Sequence, residues 1–165
     1  MIALLEASAA QCRYQLTIAL RIIAGLDDSH LALEPMAGMK TAGWLLGHLA
    51  VTGDFARRLL GRRDAICPPA WRALFNPGTT PSHRREDYPA MEELCAAFRK
   101  VYEDLPSAAL EANDMILAEN PYEAGRDAFP RAGDFAAYLL SAHLSYHLGQ
   151  LSGWRAAAGV KPVAR

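Results

Sequence analysis

Four stretches of this chain place apolar residues every three or four positions, and none alternates apolar with polar long enough for a strand. A period near 3.6 marks helices that turn one face to a core. Ala and Leu, both strong helix formers, dominate, and β-branched residues are few. The first expected helix runs from Ile2 to Ala24 and stops at Gly25, with Leu5, Cys12, Leu16, Ala19, Leu20 and Ile23 inward. The second starts at Thr41, a suitable N-cap, and ends at Gly61; Trp44, Leu45, His48, Leu49, Thr52, Phe55 and Leu59 form its stripe. The third runs from Pro89 to Leu105, with Met91, Leu94, Cys95, Phe98, Val101 and Tyr102 toward the core. The fourth runs from Ala132 to Ala158 and stops at Gly159. Its broad inner face carries Phe135, Tyr138, Leu139, Ala142, His143, Tyr146, His147, Gln150 and Trp154.

Two long connections, 62–88 and 106–131, separate these helices. The first holds a possible short helix at Trp71–Phe75. The second carries turn signals at Asn120-Pro121 and Phe129-Pro130. Connections of this length usually build lids or pocket walls. With no repeat or linker, the 165 residues read as a single domain, 1–165.

A net charge of −1 gives no electrostatic footprint for nucleic acid or an acidic membrane. The basic pairs Arg57-Arg58, Arg62-Arg63 and Arg84-Arg85 are read as solvated, since acids lie among them. No run of about 18 uncharged apolar residues suggests a membrane span. The N-terminal segment lacks a basic start and is interrupted by Glu6, so it is not read as a signal sequence. Three scattered cysteines, Cys12, Cys67 and Cys95, without a C-x-x-C pair, fit a reducing cytoplasm.

The chemistry concentrates in the histidines. His143 and His147 are four residues apart on the fourth helix. That is slightly more than one turn, so the imidazoles project from one side about 6 Å apart. Zinc, nickel and iron(II) accept imidazole nitrogen at about 2.0–2.1 Å. A third ligand has to come from another element, and His48 lies on the inward stripe of the second helix. Three buried imidazoles without ligation would leave several polar nitrogens in want of partners, which favours a metal over a purely structural set. H-L-S-Y-H lacks the glutamate of the H-E-x-x-H metalloproteases. His30 and His83 lie in polar turns and are read as solvated. Asp54, roughly 120° around the helix from His48, is not expected to ligate.

Tyr146 and Gln150 flank His147 and are the candidates for contacting substrate or orienting a ligand. Trp44 and Trp154 are read as packing residues, Arg155 as a partner for an acid of the first or second helix, and Cys95 as a core residue. Three neutral imidazoles leave a coordination position open. That position could take a thiol as thiolate or activate water for hydrolysis. Residue types alone do not choose between these.

W-L-L-G-H-L-A around His48 and A-H-L-S-Y-H-L-G-Q-L-S-G-W-R-A-A-A-G around His143 and His147 resemble the DinB-like superfamily. Y-P-A-M-E-E-L-C-A-A-F at the third helix resembles it too. The resemblance implies an all-α four-helix bundle with long crossover loops, its second and third helices exchanged relative to simple up-down order. It implies a divalent metal on His48, His143 and His147. The family includes thiol S-transferases using low-molecular-weight thiols, a thiol-dependent maleylpyruvate isomerase, and proteins without assigned activity; homodimers are common. Many members carry Arg where this chain has Leu148, which removes a charge near the site. The resulting expectation is a cytoplasmic, homodimeric, metal-dependent enzyme passing a small thiol to a small-molecule electrophile. The alternatives are a metal-dependent hydrolase and a non-catalytic metal-binding or stress-related protein.

Overall fold

The computed structural model describes residues 1–161, all-helical apart from one isolated bridge between Glu119 and Arg131. Its helices are α1 (Ile2–Ile23), α2 (Ala42–Leu59), a short α3 (Trp71–Phe75), α4 (Met91–Leu110), α5 (Ala132–Tyr138) and α6 (Leu144–Ala157). A wider π-turn, Leu139–His143, joins α5 to α6 in one long rod. No helix among the described residues is long and apolar enough to cross a membrane.

α4 packs against α1 and α2, and the α5–α6 rod packs against the same two helices from the other side. The order around the bundle is therefore α1, α4, α2, α5–α6: α1 stands diagonal to α2 and α4 diagonal to the rod, while α2 and α4 are neighbours. The connections 24–41 and 111–131 cross these diagonals, and 60–90 joins neighbouring helices by way of α3. α2 is buried almost all round, because the segment carrying α3 covers the side its bundle neighbours leave open. Close approach depends on small residues. A Cβ at Gly53 would lie 2.6 Å from Val101 of α4, and one at Gly47 would lie 2.5 Å from the Phe75 ring.

Helix ends follow the sequence signals with two exceptions. The Thr41 hydroxyl accepts from Trp44 N–H, and Gly61 stops α2 at φ +100°, where a side chain would be strained. α4, however, starts at Met91 and runs through Pro106 to Leu110, past the expected stop at Leu105. Pro106 lies in the last turns, where its missing N–H leaves one carbonyl, that of Tyr102, without its helical donor. The buried Leu105, Ala108 and Ala109 repay extension. The second exception is the π-turn in what reads as an uninterrupted helix.

The first connection is anchored from beneath. Asp54 accepts from the backbone N–H of Ile66 (3.1 Å) and Cys67 (3.3 Å). Arg57 donates to Asp54 (2.9 Å), Asp64 (3.1 Å) and Asp104 (2.7 Å) with a side chain only 4% exposed. Arg57 is thus a buried clamp between α2, α4 and the connection, not a solvated residue. Its carboxylates come from three separate segments, and only Asp54, three residues upstream, is a local signal. Arg155 also departs from expectation. It caps α1, donating to the carbonyls of Ile22 and Ala24 (both 2.8 Å) and to that of Lys161, rather than pairing with an acid. Helix C-termini leave carbonyls unsatisfied, and a guanidinium serves them well.

Candidate metal centre

His48 on α2 and His143 and His147 on the rod converge where these two helices face each other. Their ligand-capable nitrogens all lie within 4.8 Å of one another. The rings are 3–8% exposed. His48 Nδ1 stands 2.7 Å from the carbonyl of Phe75. A carbonyl only accepts, so Nδ1 carries the proton and Nε2 keeps its lone pair toward the cluster. His147 is set the same way, its Nδ1 donating to Gln150 Oε1 at 2.7 Å. His48 Nε2 and His143 Nε2 are 3.2 Å apart. Two nitrogens bound to one tetrahedral ion at about 2.0–2.1 Å would be about 3.3–3.4 Å apart. The donor set, its spacing and its tautomers fit a divalent ion. His143 Nδ1 is buried without a partner.

The surroundings explain the aim of each ring. Gly47, beside His48, lets Phe75 press onto α2 so that its carbonyl reaches His48. Trp44 stacks on the His48 ring at 4.6 Å and 8°, and its Nε1 donates to Thr79 at 2.9 Å. The π-turn sets the phase of the rod. On an α-helix a series spaced by four residues drifts about 40° per step. A wider turn cancels about one such step, which keeps Phe135, Leu139 and His143 on the pocket side. Such turns recur at functional sites.

The histidines form part of the wall of an open cavity of about 770 Å³. Its other walls come from the Asn76–Thr80 loop, the lower half of α2, and aromatic residues of α5 and the second connection. The buried Asn120 shapes that connection: its side chain donates to Phe129 O (3.0 Å) and accepts from Tyr122 N–H (2.9 Å). This brings Tyr122 flat onto Phe135, at 5.4 Å and 6°.

The remaining sequence candidates separate clearly. Gln150 touches His147. Tyr146 packs edge-on against His147 at 5.0 Å but is 63% exposed and lies outside the cavity. Trp154 is core, its Nε1 donating to Leu33 O. His30 bonds Asp27 at a turn, and His83 is exposed. Sequence reading missed the roles of Phe75, which acts through its backbone carbonyl, of Gly47, which acts by lacking a side chain, and of Asn120, read only as a turn signal, whose side-chain amide bonds the backbone of Tyr122 and Phe129. It also missed the three cations Lys40, Arg58 and Arg72 of the cavity wall.

Burial pushes His48 down to about 4 and His143 down to about 3, and lowers His147 as well, so the rings stay neutral near pH 7. Neutral rings are the ligating form. A histidine depressed on folding keeps its stability contribution above its unfolded value of about 6.5 and loses it toward the folded value. The metal-free protein should therefore lose stability as the pH falls from about 6.5 to about 4, by about 3 kcal/mol from His48 alone by the end of that range. Bound metal should move the loss to lower pH. Asp64 and Asp104, held down by Arg57 and Arg62, add their loss only below that window. Melting curves with chelator and with zinc would show this; a chelated protein with a flat melting temperature from pH 6.5 to 4.5 would contradict it.

No curated protein and no solved structure matches the chain. The sequence pattern of the DinB superfamily matches residues 11–151, a span that includes all three histidines and every helix but parts of the first and last. With the exchanged bundle order and the histidine cluster between α2 and the last rod, that match places the chain: it belongs to the DinB superfamily.

Proposed function

We propose that His48, His143 and His147 hold one divalent ion, zinc, nickel or iron(II), and that the protein uses it to transfer a small thiol to an electrophile. The observation that carries this reading is a three-imidazole set opening onto a cavity large enough for a small molecule, with no fourth His, Cys, Asp or Glu in the group among the described residues. Structural zinc sites close with four protein ligands, whereas catalytic ones keep a place for substrate. When bound, the ion would supply Lewis acidity, which lowers the pKa of a thiol and makes it nucleophilic at neutral pH.

The chain's own residues do the rest. Phe75 O and Gln150 fix two of the imidazoles. Trp44 stacks on the His48 ring and Tyr138 meets His143 edge-on at 5.7 Å, so both rings have an apolar flank. The sulfur has to come from outside, because none of the cysteines lines the cavity. Cys12 and Cys67 are pushed up to about 12 by burial, and burial raises Cys95, so their thiols stay protonated. The reading carries with it the homodimer that the resemblance implies and the cytoplasmic setting that three scattered cysteines fit.

Cobalt-substituted protein tests it. Adding a small thiol should produce a sulfur-to-metal charge-transfer band. His48→Ala should abolish the band, and Cys95→Ala should leave it unchanged. The same thiol should then displace chloride from monochlorobimane, releasing its proton to solvent, faster with zinc protein than without. If metal-loaded protein gives no band with any small thiol, the transferase reading falls, and hydrolysis or metal binding without turnover takes its place.

A further inference from the structure

One face of α2 reads Trp44, His48, Val51 and Thr52, Phe55, Arg58, and all of these line the cavity. The face thus runs from the histidine cluster through an apolar stretch to a cation. We propose that the cavity takes an organic anion: a planar, apolar molecule whose carboxylate is held by Arg58 while its other end lies at the histidines. This rests on the enzymatic reading only for which end reacts.

Charge comes first. Lys40, Arg58 and Arg72 line the cavity, and no Asp or Glu does. None of the three has a carboxylate partner among the described residues, although Arg57, Arg62, Arg84, Arg85, Arg126 and Arg131 all have one. The chain as a whole is at −1, so this uncompensated positive wall is local. A cleft lined by one sign of charge concentrates ligands of the other. Arg58 is the best placed of the three. It is partly buried, its Nε is buried without an acceptor, and its guanidinium carbon lies 5.5 Å from the Phe55 ring. That Nε is sealed from the cavity, but the terminal N–H groups of the guanidinium have no protein acceptor among the described residues either, and a carboxylate in the cavity would meet those with a charge-assisted bond.

Shape comes second. Phe135 stacks with both Tyr122 (5.4 Å, 6°) and Tyr138 (6.1 Å, 10°), and Phe55 meets it at 6.2 Å. Such a wall suits a flat ring. Arg58 follows His48 by ten residues, about 15 Å along the axis. Both side chains lean toward the helix N-terminus, so the span from guanidinium to imidazole stays of that order. Such a span suits two fused rings with a carboxylate, allowing for contact distances at both ends.

Calorimetric titration with 2-naphthoate and with its uncharged match, 2-naphthamide, tests the proposal. Both metal-stripped and zinc-loaded full chain are used, so that a carboxylate binding the metal is told apart from one binding Arg58. The metal-stripped protein should bind the acid at least about tenfold tighter than the amide, as a charge-assisted bond warrants. Arg58→Lys should keep the preference. Arg58→Gln should lose it while still binding the amide, which shows the cavity intact. Equal binding of acid and amide by metal-stripped wild type, a preference present only with zinc, or one that survives Arg58→Gln would each overturn the proposal. The thiol band is not part of this assay, so failure of the transferase reading and failure of the anion site are separate results.

Discussion

Arg57→Ala is expected to destabilise the fold by about 3–5 kcal/mol, the usual cost of removing one partner from a buried ion pair. Asp54 would remain 5% exposed at its side chain, with two backbone N–H donors and no counter-charge. Asp104 would lose its shortest contact, at 2.7 Å. In a chain of this size the melting temperature should drop by roughly 10 °C. The damage should spread along the first connection, since Asp54 pins Ile66 and Cys67 just ahead of α3, whose Phe75 carbonyl orients His48. Calorimetry checks the stability, and a drop under about 2 °C would mean the clamp contributes little. Ion pairs at the surface, such as Arg84–Glu86 with both side chains more than 60% exposed, should give changes near zero when broken.

The difference between these two kinds of arginine is also where sequence reading stopped. Helix count, the caps at Thr41 and Gly61, and the inward stripe with His48 follow from periodicity and local backbone chemistry, which act over a few residues. The histidine set was legible because four-residue spacing on a helix fixes two side chains relative to each other. Arg57 and Arg58 are neighbours of the same type, and nothing local separates a buried clamp from a cavity cation. Arg57's environment is set by Asp104, 47 residues away, and Arg58's by the cavity that α5 and the Asn76–Thr80 loop help to enclose. The π-turn has no sequence signature in L-L-S-A-H, and Pro106 reads as a stop although tertiary packing carries α4 past it. The roles of Phe75 and Asn120 lie in hydrogen bonds at the ends of loops whose paths depend on the finished bundle.

The largest effect on function is expected at His147. It shares one side of the rod with His143, and its ring is held by Gln150. Removing it leaves two imidazoles, too few to close even the protein's share of a tetrahedral site. Loss of an outer hydrogen-bond partner alone typically costs about 10–100-fold in metal affinity, so loss of a ligand should cost more than about 100-fold. The fold should survive, because the core of the rod is made by Leu140, Leu144, Leu148, Leu151 and Trp154. Competition titration of zinc against a chromophoric chelator, run on wild type and His147→Ala with helicity followed by circular dichroism, is the most direct measurement. One tightly bound ion per wild-type chain, lost in a variant of unchanged helicity, is the expected result. A His147→Ala protein that binds zinc as tightly as wild type would contradict the three-histidine site.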